Sequence, residues 1–133
     1  MLTPDIRRVL VVEDNDLNYE LVQFILGKMG LSVFRASDGR KVLDMVQTEH
    51  PDLIYMDIQL PGIGGLELTR RLKADDVTRH VPVIALTAFA MLGDEEKALA
   101  AGCDAYLTKP VSSHQLRDTT ERFLKQLNDR GPA

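Results

Sequence analysis

Cysteine is almost missing from this chain: its 133 residues include one, Cys103. A single thiol excludes an internal disulfide and any multi-cysteine metal site, and it fits a reducing compartment. A basic stripe is missing too. Lys and Arg number 16 against 20 Asp and Glu, for a formal net charge of -4. The basic residues are scattered, apart from short pairs such as Arg7-Arg8 and Arg70-Arg71. Nucleic acid needs a concentrated positive surface, so it is not an expected partner. Long hydrophobic runs are also absent. No segment has the length to span a membrane, and the stretch from Met1 to Arg8 lacks the apolar core of a signal peptide. The expected location is the cytoplasm.

What is present suits one soluble domain. A hydrophobic share of 44% beside a charged share of 27% is enough to build a core without staples at this length. Five short apolar runs read as strands: 8–12 (RVLVV), 31–36 (LSVFRA), 52–57 (DLIYMD), 81–87 (VPVIALT) and 103–107 (CDAYL). The first, third and fourth are nearly continuous rather than alternating, which suits strands covered on both faces. Helical patterns separate them. Val22, Ile25, Leu26 and Met29 recur at i, i+3, i+4 and i+7, with Gly30 as a stop. Val42, Leu43 and Val46 form a shorter stripe closed by His50-Pro51, because proline disfavours helix in the residue before it. Leu68 and Leu72 belong to a third helix, and the alanine-rich stretch 94–101 to a fourth. A fifth starts at Ser112, where Ser112 and Gln115 have capping-box spacing, and Leu116, Phe123, Leu124 and Leu127 supply its apolar face.

Strand and helix thus alternate five times. That pattern predicts an α/β fold, a parallel sheet with helices on both faces and right-handed crossovers. One domain over 1–127 and a short polar tail over 128–133 account for the whole chain.

In such a sheet, sites form beyond the carboxyl ends of the strands. The first strand ends in Glu13-Asp14, the third in Asp57 and the fourth in Thr87, and the fifth runs into Lys109-Pro110. Clustered carboxylates repel unless a cation shares the space, and a few acids plus water are what Mg²⁺ prefers. A carboxylate can attack phosphorus to give an acyl phosphate, and phosphoryl transfer then needs its equatorial charge neutralised. Lys109 and Thr87 have the chemistry for that. Each residue also has a plain structural reading. Acids after strands often cap helices, and Asp14, Asn15 or Asp16 could cap the first one; loops collect Asp for their turns; Thr87 alone is a strand end and Lys109 alone a solvated lysine. Their joint placement at one edge is what favours the site.

The segments Val11-Val12-Glu13-Asp14-Asn15, Met56-Asp57-Ile58-Gln59-Leu60-Pro61 up to Gly65, Thr87-Ala88, and Tyr106 with Lys109-Pro110 resemble the CheY-like receiver domain of two-component response regulators. The stretch Thr87-Ala88-Phe89-Ala90-Met91 with Gly93-Asp94-Glu95-Glu96 is closest to single-domain regulators of the DivK kind. The resemblance implies a (βα)5 sheet of strand order 2-1-3-4-5, with Asp57 as phosphoacceptor. It implies Mg²⁺ held directly by Asp14 and Asp57, through water by Glu13, and by the Gln59 backbone carbonyl. Lys109 would pair with the phosphoryl group, Thr87 would bond one of its oxygens, and Tyr106 would be a switch residue. A cis Lys109-Pro110 bond is expected. Gln59 and Phe89, each two residues past Asp57 and Thr87, would tune the lifetime of the acyl phosphate.

The partners implied are a histidine kinase or phosphotransfer protein as donor and a protein that reads the face of the fourth helix, fifth strand and fifth helix. The chain would be a monomer or a phosphorylation-linked dimer, and its only catalysis would be its own phosphorylation and dephosphorylation. Its start methionine and lack of a linker favour a stand-alone regulator over a receiver excised from a hybrid kinase. Two rivals fare worse. A haloacid-dehalogenase-type phosphatase needs an acid where Gln59 stands, and a flavodoxin-like protein needs a first loop that welcomes phosphate, unlike Glu13-Asp14-Asn15-Asp16.

Overall fold

The computed structural model describes residues 7–60, 63–88 and 93–129. Five parallel strands, β1 (Arg8–Val12), β2 (Ser32–Ala36), β3 (Leu53–Asp57), β4 (Val83–Thr87) and β5 (Ala105–Thr108), form one sheet in the order β2-β1-β3-β4-β5. Five α-helices connect and follow them: α1 (Asp16–Lys28), α2 (Val42–Glu49), α3 (Gly65–Ala74), α4 (Asp94–Ala101) and α5 (Ser113–Asp129). The 3-10 turn Gly39–Lys41 leads into α2.

Strand geometry sends successive side chains to opposite faces, and the core divides accordingly. Leu10, Val12, Ile54, Met56, Val83 and Ala85 pack with α2, α3 and α4 through Val42, Val46, Leu68, Leu72 and Ala98. Val9, Val11, Leu53, Tyr55, Ile84 and Leu86 pack on the other face with Val22, Ile25 and Leu26 of α1 and Leu116 and Phe123 of α5. Double-sided burial is why three strands read as unbroken apolar runs.

Strand boundaries differ from the sequence reading by one or two residues at five of the ten ends. β4 starts at Val83 instead of residue 81 because Pro82 has no N–H to give a ladder; its carbonyl still accepts from Ile54 N–H at 3.0 Å. β5 runs two residues later at its start, and Cys103 stays buried ahead of it.

The helix ends reflect local chemistry. Asn15 caps α1, its side chain accepting from Asn18 N–H at 2.9 Å. His50 closes α2 in the left-handed region at φ 50, directly before Pro51. Ser112 caps α5 by accepting from Gln115 N–H at 3.0 Å. Of the positions with capping potential after β1, Asn15 takes this role, which leaves Glu13 and Asp14 available for other chemistry.

Candidate phosphoacceptor and metal site

Beyond the last residue of β1 the chain still leans on β2: Glu13 N–H donates to the Ala36 carbonyl at 3.1 Å. This holds the Glu13 side chain inward, 1% exposed, while Asp14 stays exposed. Arg35, in β2, ties the loop down from the side. Its Nε donates to the Glu13 carbonyl at 3.0 Å, its Nη1 lies 2.9 Å from Asp16 Oδ1, and its guanidinium sits 4.8 Å from the centre of the Tyr19 ring. Sequence reasoning overlooked Arg35. The available signal was a lone cation within an apolar strand, one residue before the strand's carboxyl end and alongside an acidic loop.

Asp57 ends β3 and is 3% exposed. Its Oδ1 accepts from Gln59 N–H at 2.9 Å, and its Oδ2 lies 3.1 Å from Lys109 Nζ. The same ammonium lies 2.6 Å from Glu13 Oε1. Glu13, Asp57 and Lys109 meet because they continue one strand parity: residues 9 and 11, 53 and 55, and 105 and 107 all face α1 and α5. The backbone of Lys109 is fixed as well, its N–H donating to the Thr87 carbonyl at 2.7 Å before a cis bond to Pro110. Gly65, at the start of α3, lies against the acceptor's own backbone. A Cβ there would come within 2.7 Å of Ile58 Cα and closer still to the Asp57 carbonyl oxygen.

One oxygen from each of Glu13, Asp14 and Asp57 lies within 4.8 Å of the others. Three carboxylates facing one ammonium leave the cluster net negative. Burial raises the Glu13 carboxyl above its usual value; Asp57 adds to the rise and Lys109 opposes it. Lys109 is the partner of the buried Glu13 Oε1, at 2.6 Å. An all-oxygen donor set and excess negative charge together fit a small hard cation such as Mg²⁺.

Thr87 is fully buried at the end of β4. Its parity is that of Val83 and Ala85, the face of α2 to α4, so it lies across the sheet from the Asp57 parity. The Gln59 side chain spans the two: Nε2 donates to Thr87 Oγ1 at 2.6 Å, and Oε1 accepts from Ala88 N–H at 3.0 Å. This bridge was not anticipated, because a backbone N–H leaves no mark in a sequence. Tyr106, opposite Ala85 in the β4–β5 register, is half-buried against the same face as Thr87, and burial together with Asp94 and Glu95 raises its phenol above the usual value. Phe89 lies outside the described residues. His50, His80 and His114 are exposed, and none joins a metal-binding group among the described residues.

Beside Lys109 a groove opens between α1 and the segment after β5, lined by Asn18, Leu21, Pro110 and Val111. Leu17, Leu21 and Phe24 stand exposed along α1 next to it.

The model of the response regulator receiver domain matches residues 9–121. The polar-differentiation response regulator DivK of Brucella ovis is 47% identical over 118 residues, 89% of this chain and 96% of that protein. Among solved structures, the receiver domain of a sensor histidine kinase from Pseudomonas aeruginosa PAO1 is 35% identical with a TM-score of 0.83. The match covers 91% of this chain and 99% of that one, which holds a magnesium ion in its active site cleft. A CheY-like receiver domain protein from Methanospirillum hungatei JF-1 is 28% identical with a TM-score of 0.87, covering 96% and 100% of the two chains. The fold, the strand order and these likenesses agree: the chain belongs to the response regulator receiver domain family.

Proposed function

We propose that the protein is a stand-alone response regulator that accepts a phosphoryl group on Asp57 from a histidine kinase or a phosphotransfer protein. The observation that carries this reading is the setting of Asp57: a carboxylate almost shielded from water, 3.1 Å from a lysine ammonium and grouped with two further acids. A carboxylate oxygen of Asp57 attacks phosphorus, the phosphorus–nitrogen bond of the donor's phosphohistidine breaks, and the electron pair returns to the imidazole. The Lys109 ammonium neutralises charge on the transferring group, and the Thr87 hydroxyl supplies a hydrogen bond to one of its oxygens. Asp14 and Asp57, Glu13 through water, and the Gln59 carbonyl would hold Mg²⁺, which when bound supplies the remaining charge neutralisation. Water later hydrolyses the acyl phosphate, with Gln59 and Phe89 setting its lifetime. The protein's catalysis ends with its own phosphorylation and dephosphorylation.

The donor approaches over α1, where exposed Leu17, Leu21 and Phe24 border the groove beside Lys109. The result is read on the face of α4, β5 and α5, with Thr87 and Tyr106 as the switch pair. No helix among the described residues is long and apolar enough to cross a membrane; together with the single buried Cys103, this supports the cytoplasm as the place of action. The receiver unit is proposed to span 1–127 with a tail over 128–133, but α5 continues through Asp129 and takes in the first two residues of that expected tail. Phosphotransfer from candidate kinases to wild type and to Asp57→Asn tests the central claim. Label is expected on the wild type alone, and equal labelling of Asp57→Asn would overturn it.

A further inference from the structure

Two polar groups at the end of β4 are bonded to one side chain, that of Gln59: the Ala88 N–H as donor and the Thr87 hydroxyl as acceptor. Ala88 N–H can only donate, so the Gln59 atom facing it is the carbonyl oxygen, at 3.0 Å. That fixes the orientation of the amide: its nitrogen faces Thr87 Oγ1 at 2.6 Å and donates to it. The backbone of Gln59 is bound in turn to the acceptor, its N–H donating to Asp57 Oδ1 at 2.9 Å. β3 and β4 are direct neighbours, with Asp57 opposite Leu86. A phosphoryl group on Asp57 would lie beyond the carboxyl ends of β3 and β4, the same edge of the sheet that Thr87, Ala88 and the Gln59 amide occupy.

We propose that the Gln59 side chain is a latch: it holds Thr87 and Ala88 N–H in the unphosphorylated protein and must leave before both can serve a phosphoryl group on Asp57. This rests on the reading of Asp57 as phosphoacceptor. The Gln59 Oε1 atom marks a place where an acceptor oxygen satisfies Ala88 N–H, and a phosphoryl oxygen is an acceptor of the same kind. With the amide in place, the single proton of Ala88 N–H is spent on Oε1, and Nε2 occupies one lone pair of the Thr87 hydroxyl, which keeps its own proton to donate. Gln59 is exposed, so it can swing into water without uncovering any core. The latch thus adds a cost to the phosphorylated state that differs from any effect on hydrolysis.

Beryllofluoride, a phosphoryl mimic that forms no acyl phosphate, separates the two effects, because the hydrolytic lifetime does not enter its affinity. Gln59→Met keeps the size of the side chain but removes both hydrogen bonds. With magnesium present, it is expected to bind beryllofluoride roughly fivefold more tightly than wild type, the worth of about one net hydrogen bond. Gln59→Glu still accepts from Ala88 N–H but adds a negative charge, and is expected to bind more weakly than wild type. In the free protein the Ala88 amide is expected to exchange its hydrogen faster in Gln59→Met than in wild type. If wild type binds beryllofluoride and Gln59→Met binds no more tightly, or if Ala88 exchange is unchanged, the latch is wrong while the phosphoacceptor reading stands. If wild type fails to bind the mimic at all, the phosphoacceptor reading falls and takes the latch with it.

Discussion

Replacing Lys109 with methionine removes one charge and little volume, so the acids around it lose their counter-charge at nearly constant packing. The ammonium lies 2.6 Å from Glu13 Oε1 and 3.1 Å from Asp57 Oδ2, and the lysine side chain is 11% exposed. Losing one partner of a buried ion pair costs about 3–5 kcal/mol, because the remaining charge is left uncompensated. Two carboxylates are stranded here, but the third acid, Asp14, is exposed, so water reaches the cluster's rim. We therefore expect a loss of about 2–4 kcal/mol for Lys109→Met in chelator, on the scale of measured buried pairs. A divalent cation that binds the folded state at a hundred times its dissociation constant contributes about 2.7 kcal/mol. Such a cation also takes over the lysine's role of offsetting Glu13 and Asp57, so it should stabilise the variant more than the wild type. The assay is urea unfolding monitored by far-ultraviolet circular dichroism, since the chain has no tryptophan to report by fluorescence. The deficit is expected to shrink by at least half in saturating magnesium. A deficit below about 1 kcal/mol in chelator, the range of an exposed pair, would refute the reasoning, and so would one that magnesium leaves unchanged.

Three further outcomes can be checked. Gly65→Ala pushes a methyl group into the backbone of Asp57 and Ile58; it should cost about 1–3 kcal/mol in the same unfolding assay, and a shift near zero would show that the backbone can yield there. Tyr55, hydrogen-bonded to Thr120, is held by burial above its ordinary value of 10.0. The unfolded chain releases that proton first, so the folded state binds more protons once the pH passes 10.0, and stability falls as pH climbs further. Ultraviolet phenolate titration should then show one of the three tyrosines ionising only on unfolding; ionisation of all three in the folded protein would contradict this. Phe24 is 59% exposed, so Phe24→Ser should move stability by no more than about 0.5 kcal/mol. It should nevertheless slow phosphotransfer from the cognate kinase, and an unchanged rate would remove α1 from the donor's docking surface.

The sequence was most legible where burial is two-sided. Val9 to Val12, Leu53 to Met56 and Val83 to Leu86 are apolar without interruption because both faces are covered, and with the alternation of strand and helix this pointed to a parallel sheet. The strand-end residues were set by topology, and the structure does bring Glu13, Asp57 and Lys109 into contact. Helix α4 lacks a strong apolar stripe because Ala98 and Ala101 bury little surface each, yet it forms where the alanine-rich stretch predicted. Two kinds of information were out of reach. Arg35 acts on the acidic loop from a neighbouring strand, so its role depends on pairing 22 residues apart with Glu13. The Gln59 bridge depends on a backbone N–H that every non-proline residue carries.

The parity of the strands has a consequence for traffic on the protein's surface. The acids and lysine open toward α1 and α5, while Thr87 and Tyr106 belong to the side of α2 to α4. On the proposed reading, a donor seated on α1 would leave α4 uncovered but would abut α5, which packs beside α1 on the same face of the sheet. The two sets of side chains come together only beyond the carboxyl edge of the sheet, where Gln59 already joins Asp57 through its backbone N–H and Thr87 through its side chain.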